Sequence, residues 1–255
     1  MSHHLVEVKD LQYRYPDGTA ALNGISFLLT HGEAAAIIGA NGAGKSTLLL
    51  HLNGCLMPQT GEVRIGGLPL NKDTLAHVRR TVGMVFQDPD DQLFMPIVYD
   101  DVAFGPLNLG LPPAEVDQLV NASLATVGAS HLKDRPPYRL SGGEKRDVAI
   151  AAVLAMSPDI LVMDEPSAAL DPKTRRQLIE LLHTFKHTRI IATHDLDLVL
   201  DLCSRTIILK DGRVAADGPT LEILQNQELL DSCNLEKPLC LQGCPVCGAK
   251  SGAIV

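Results

Sequence analysis

Eight residues, GANGAGKS at Gly39–Ser46, constrain this chain more than any other stretch. They fit the pattern G-x-x-x-x-G-K-[ST], which has a mechanical meaning only with a strand before it and a helix after it. The flanks supply both. Glu33–Gly39 (EAAAIIG) is a short apolar run that reads as a buried strand. Ser46–Leu52 reads as a helix ended by Gly54, which suits a left-handed cap. Glycines let main-chain N–H groups curl round an anion, and a helix N-terminus adds the positive end of its dipole. Gly39, Asn41, Gly42, Gly44, Lys45, Ser46 and Thr47 therefore form a candidate phosphate cradle, with Lys45 set for the β- and γ-phosphates and Ser46 for a Mg2+ ion. In a chain of average composition and this length, a chance match arises at a rate on the order of one per cent.

The remaining pattern alternates strand and helix. Val82–Phe86, Ile160–Met163 and Arg189–Ala192 have the character of buried strands. Leu178, Leu181, Leu182 and Phe185 follow the spacing of an amphipathic helix. Residues 5–30 read as strands about a turn at Pro16–Gly18, and Arg205–Ala215 as a hairpin turning at Asp211–Gly212. The stretch from Asp88 to Ser157 is richer in proline and helical pattern. The expectation is an α/β fold: a parallel sheet core of the P-loop NTPase (RecA-like) type, an antiparallel β subdomain, and a helical subdomain inserted at about 88–158. The main domain is expected to span 4–235, with a Cys-rich tail at 236–255.

Two acids close the apolar run ILVMDEP. This run, as a strand lying beside the phosphate-loop strand, would bring Asp164 to Mg2+ and Glu165 to the attacking water, as orienting group or base. Taken alone, the pair reads equally well as a solvated acidic turn. His194 ends the strand RIIATHD at the edge where α/β sites sit and is expected to hold the γ-phosphate and the water, although a lone histidine is more often structural. Gln87, after VGMVF, would contact Mg2+ and water.

A phosphate loop alone serves kinases, GTPases and many ATPases. LSGGE at Leu140–Glu144 narrows the choice. Ser141, Gly142 and Gly143 open a helix with a capping hydroxyl and bare N–H groups, a second anion cradle, though a simple capped helix would look the same. The ordered set of Tyr15, GANGAGKST (the Walker A loop), Gln87, LSGGE, LVMDEP, SAALD and THD resembles the ATP-binding subunits of ABC transporters over roughly residues 4–230. That resemblance implies an ATPase using ATP and Mg2+, in which Tyr15 stacks on adenine. It also implies that Ser141, Gly142 and Gly143 grip the γ-phosphate of ATP held by a second copy, in a head-to-tail homodimer. The loop SAALD at Ser167–Asp171 would cross to the opposing subunit and support its site. Glu144 stands in place of the commoner Gln, and Asp147 where the family usually has Arg, which reverses a charge on the signature helix.

FQDPDDQLFMPIVYDDVAFGPLNLGL at Phe86–Leu111 is similar to the cobalt/nickel and energy-coupling-factor importer subgroup. The apolar Leu93, Phe94, Met95, Ile97 and Val98, rimmed by Asp88, Asp90, Asp91, Asp100 and Asp101, would suit an amphipathic basic helix, the alternative being that the apolar residues, some of them certainly, are subdomain core and the acids a solvated rim. The subgroup implies that Gln87–Leu111 receives the transmembrane subunits. The function so implied is to energise an ABC-type importer of cobalt or nickel ions. The alternatives are an ATPase of a vitamin (energy-coupling factor) importer, or a soluble regulatory ABC ATPase with a metal-binding tail.

Bulk properties limit the rest. The net charge of −8 argues against nucleic-acid binding. The longest apolar run, Val148–Met156, falls well short of the roughly 20 residues needed to span a bilayer. No secretory signal opens the chain. The expected location is the cytoplasmic face of the membrane, peripheral, held by partners. Cys233, Cys240, Cys244 and Cys247 (C-x6-C-x3-C-x2-C) have spacings able to wrap Zn2+, the alternative being a tail with incidental thiols.

Overall fold

The computed structural model describes residues 4–168 and 170–242. Two long strands, β1 (His4–Arg14) and β2 (Ala20–Thr30), lead to the short buried β3 (Ala34–Ile38), the glycine loop, and helix α1 (Lys45–Leu52). Then come β4 (Thr60–Ile65), β5 (Leu68–Pro69), α2 (Leu75–Thr81) and β6 (Val82–Val85). A helical block follows, with α3 (Val98–Asn108), α4 (Pro113–Thr126) and α5 (Gly142–Leu154). The chain returns through β7 (Ile160–Asp164), α6 (Pro172–Thr184), β8 (Thr188–Ala192) and α7 (Leu196–Leu202). It finishes with the hairpin β9 (Arg205–Lys210) and β10 (Arg213–Pro219), then α8 (Thr220–Gln225) and α9 (Gln227–Ser232).

The first sheet is antiparallel, in the order β2-β1-β4-β5; the second runs β10-β9-β3-β8-β7-β6. Strands β9, β3, β8, β7 and β6 are parallel, and β10 pairs antiparallel at the edge. Alternation along β3 divides two cores. Ala35 and Ile37 join Leu48, Leu49 and Leu52 of α1 and the first sheet. Ala36 and Ile38 join Leu178 and Leu182 of α6 and Leu198 and Val199 of α7. This is why β3 reads as an unbroken apolar run: both its faces are covered.

The helical block has a core of its own, built from Val98, Val102, Val116, Val120, Leu124 and Val148. Helix α5 belongs to two cores, because its Ile150 and Val153 pack against the parallel sheet. Helix α5 therefore joins the helical block to the sheet.

Three expectations need correction. The acid-bearing strand β7 does not lie beside β3; β8 stands between them. Asp164 still reaches the phosphate loop because α1 runs back over the sheet and packs against β7. Of the supposed apolar groove, Leu93 and Val98 are core, while Phe94 stands 62% exposed, edge-on to Phe104 with ring centroids 5.0 Å apart. Asp101 is no rim acid: it is buried and accepts from the N–H groups of Phe94 and Met95, and burial raises its pKa. Finally, Cys233 is 2% exposed in the core beneath α9, so its thiol serves packing. Cys240 is exposed, Cys244 and Cys247 lie outside the described residues, and among the described residues no three His, Cys, Asp or Glu side chains cluster to hold a metal.

Asp147 faces a cavity of about 520 Å3 shared with Gln177, Glu180 and Leu181 of α6. Burial, with the neighbouring charge of Glu144, pushes its carboxyl up to about 6. An unfolded aspartate titrates near 3.9, so below that pH both states are protonated and there is no penalty. As pH rises toward 6 the unfolded chain releases its proton first and stability falls; above 6 the loss is complete. Asp147→Asn should therefore raise the melting temperature at pH 8 by about 2–4 °C, for roughly 1 kcal/mol after solvent screening, and change it little at pH 4. Equal shifts at both pH values would show that the charge is not the cause.

Candidate functional site

The site is built at the carboxyl ends of β3, β7 and β8, where an open α/β sheet leaves its crevice. Gly44 caps α1 in the left-handed region (φ 102), and a Cβ there would meet the Ala21 carbonyl at 2.6 Å, so only glycine fits the turn. No side chain caps α1, and its first-turn N–H groups have no intrahelical partner. Lys45 is buried and its ammonium donates to the carbonyls of Gly39 (2.8 Å) and Ala40 (3.3 Å), held along the inside of the loop.

Tyr15, Asn41, Gly42, Gly44, Lys45, Ser46, Thr47, Gln87, Asp164, Glu165 and His194 all line one cavity of about 450 Å3. Gly39 stands at the root of the loop. The Tyr15 hydroxyl pairs with the Thr47 hydroxyl at 3.1 Å, which fixes the ring at the cavity mouth. Asp164 is buried beside Ser46. Burial is the main cause raising its pKa, Glu165 adds to it, and the Ser46 hydroxyl opposes it. Among the described residues its Oδ1 has no hydrogen-bond partner. An orphaned buried carboxylate oxygen beside a serine hydroxyl, next to a cradle of free N–H groups, fits a hard divalent cation carried in with phosphate.

Glu165 is held in an unusual backbone conformation, φ 47, which a non-glycine residue rarely adopts. Its carboxylate accepts from the Thr193 hydroxyl (3.0 Å) and the His194 N–H (3.2 Å), with His194 Nδ1 at 2.8 Å. The His194 ring is otherwise 69% exposed. Thr193, the first residue of the THD run, directly follows β8, and sequence reasoning gives it no role of its own. Ser167, in the loop after β7, donates to Asp195, which also receives the Arg175 guanidinium at 2.7 Å and caps α7. Burial raises the Asp195 pKa, but Arg175 and the cap bonds hold it below the usual value.

Ser141, Gly142 and Gly143 do not line this cavity. They form the exposed tip of α5, where Ser141 Oγ accepts from the Glu144 N–H (3.3 Å) and the Ser141 N–H donates to the Glu144 carboxylate (2.8 Å), a reciprocal capping box. Glu144 thus has a cap role that a Gln can also fill. Gly142 borders a second cavity of about 620 Å3, lined also by Ser46, Gln87, Asp88, Arg146 and Asp164.

The sequence profile described as ABC transporter matches residues 22–168. A Geobacter sulfurreducens protein, provisionally named an ABC transporter ATP-binding protein, is 68% identical over 97% of this chain and 100% of its own. The energy-coupling factor transporter ATP-binding protein EcfA of Methanocaldococcus jannaschii is 48% identical over 92% of this chain and 86% of its own. Among solved structures, cbiO1 of Clostridium perfringens, part of the ABC transporter complex cbiONQ, superposes with a TM-score of 0.78 at 41% identity, covering 91% of this chain and 95% of that one. The ATP-binding cassette MJ0796, solved as a dimer in a post-hydrolysis state with ADP and Pi, gives 0.77 at 30% identity, covering 84% and 98%. With its two-sheet P-loop fold and its phosphate cavity, the chain belongs to the ABC transporter family, as an ATP-binding subunit that hydrolyses ATP.

Proposed function

We propose that this chain energises an energy-coupling-factor type importer, with cobalt or nickel ions as cargo. One observation carries the enzymatic part: a single cavity gathers the phosphate loop, Gln87, Asp164, Glu165 and His194. ATP enters with its adenine at Tyr15 and its phosphates against Gly39–Thr47, where Lys45 draws the β- and γ-oxygens. Ser46, Asp164 and Gln87 would hold Mg2+, which when bound neutralises charge between those phosphates. Glu165 orients a water and takes its proton as the water oxygen joins the γ-phosphorus and the bond to ADP breaks. His194, fixed by Glu165, donates to the γ-phosphate. Ser141, Gly142 and Gly143 complete the site of a second copy, which fits their place at the tip of α5, outside the 450 Å3 cavity.

The importer part draws on the names EcfA and cbiO1 and on the Gln87–Leu111 segment. Phe94, Phe104 and Leu107 are exposed apolar side chains of the helical block (about 88–158), in a segment that also carries Asp90, Asp91 and Asp100. The surface that carries them is the seat for the membrane subunits and would hold the chain at the cytoplasmic face. Among the described residues no helix is long and apolar enough to cross a membrane. The tagged chain, purified from detergent-solubilised membranes, should bring integral membrane proteins that a Phe94→Asp/Phe104→Asp variant leaves behind while still binding ATP. Equal recovery with that variant would remove the surface from the role. Cells carrying Glu165→Gln should lose cobalt or nickel uptake; lost vitamin uptake with metal uptake intact would assign the vitamin alternative.

A further inference from the structure

Arg146 is one residue from the position where the family resemblance leads one to expect an arginine and finds Asp147. Neighbouring residues on a helix point about 100° apart. Asp147 faces the cavity under α6, whereas Arg146 faces the cavity bordered by Gln87, Asp88, Asp164 and Ala168. The cation is therefore turned toward the nucleotide side of the molecule. It is 5% exposed, burial lowers its pKa, and the nearby Asp88 charge opposes that shift.

A buried guanidinium demands partners, and a methionine of similar length would occupy the space at less cost. Among the described residues its Nε has no hydrogen-bond partner, and its single hydrogen bond goes from Nη1 to the main-chain oxygen of Glu165, at 3.4 Å. That acceptor belongs to the residue held at φ 47. The rest of Glu165 is tied to its own sheet and loop: its N–H donates to Ala192 (2.8 Å), and its oxygen also accepts from Ala168 (3.1 Å). Arg146 is the one side chain of α5 that bonds to it among the described residues. The same helix reaches the segment after Gln87 through Lys145–Asp90 (2.5 Å) and through Gln92, which donates to the Ala149 carbonyl (2.7 Å).

We propose that Arg146 is a positioning residue for ATP hydrolysis: it pins the Glu165 main chain to the helix whose tip meets the partner copy. Closure of two copies pushes on the tip of α5, and α5 carries the displacement through Arg146 to the backbone of the water-activating acid. The contact at 3.4 Å is long for a hydrogen bond, so a small approach of α5 strengthens it. This inference rests on the role given to Glu165.

The test uses the full chain with Mg-ATP. Arg146→Met should lower kcat by about 10- to 100-fold, the scale of losing correct placement of a catalytic group, while KM and nucleotide Kd stay within about threefold. Arg146→Lys should recover part of the loss. In a Glu165→Gln background, adding Arg146→Met should change the residual rate by less than about threefold, because the group it positions is already disabled. Unchanged kcat for Arg146→Met, or equal fold-losses in both backgrounds, would overturn the proposal, as would a loss that lies wholly in KM. If Arg146→Met melts far below the parent protein, Arg146→Gln, neutral and polar, is judged by the same criteria. Wild-type hydrolysis by Glu165→Gln would instead sink the role of Glu165, an outcome separate from the effect of Arg146.

Discussion

Glu165→Gln should cut ATP turnover by about two to four orders of magnitude, the range expected for loss of a general base. The change is nearly isosteric. An amide oxygen can still accept from the Thr193 hydroxyl and the His194 N–H, so the strained backbone and the loop after β7 stay in place. What disappears is the capacity to take a proton from water. On the proposed reading the loop, Lys45 and Tyr15 hold the nucleotide, so binding should stay within about threefold, since none of those residues is changed. Two copies that close around ATP and cannot hydrolyse it should then accumulate as a dimer. Phosphate release and light scattering with Mg-ATP read the two effects side by side. Near-normal turnover would remove Glu165 from the role, and slow turnover without pairing would separate hydrolysis from closure.

Gly142→Asp should act on the other cradle. An ideal Cβ at Gly142 meets nothing within 4 Å, so the side chain has room. An acid in the first turn suits the positive end of α5, so the melting temperature should hold or rise slightly. Yet the new carboxylate would stand where the γ-phosphate of a partner's ATP is to be gripped. Two unit charges about 4 Å apart repel by about 4 kcal/mol at an effective dielectric of 20, close to a thousandfold in equilibrium. Pairing on Mg-ATP, and hydrolysis with it, should fall by at least about a hundredfold, since part of that repulsion is screened at the rim. The single chain's affinity for nucleotide should change by less than about threefold, because Gly142 lies outside the 450 Å3 cavity and only borders the neighbouring 620 Å3 one. Wild-type pairing in this variant would mean that the tip of α5 does not meet nucleotide across a dimer.

Local chemistry explains what could be read early. The glycine loop, the acids after an apolar run and the Ser–Gly–Gly helix start are each set by neighbouring residues. A backbone that must turn left-handed at Gly44, or a hydroxyl that must cap α5 at Ser141, announces itself within a few positions. The Asp211–Gly212 turn is of this kind: both residues have positive φ, and the hairpin β9–β10 follows from them.

Order in space follows other rules. That β8 lies between β3 and β7 follows from how segments distant in the chain pair, and no single segment encodes it. The acidic stretch after Gln87 looked uniform in sequence, yet Asp101 turned inward because two backbone N–H groups of the preceding loop needed an acceptor. Cys233 looked like its neighbours in the tail and packs as core, since α9 closes over the second face of the sheet. Arg146 had no pattern at all, and Thr193 stood within THD without a role of its own.

The chain's own residues thus determine that it binds phosphate, by what chemistry it can hydrolyse ATP, and that its sheet is parallel and covered on both faces, because these depend on contacts within one strand, loop or helix turn. The tertiary structure alone decides which acid stands beside Ser46, which apolar side chains remain outside, and which cation touches the backbone of Glu165. Those outcomes depend on distances between segments far apart in the chain, and such distances exist only once the two cores have packed.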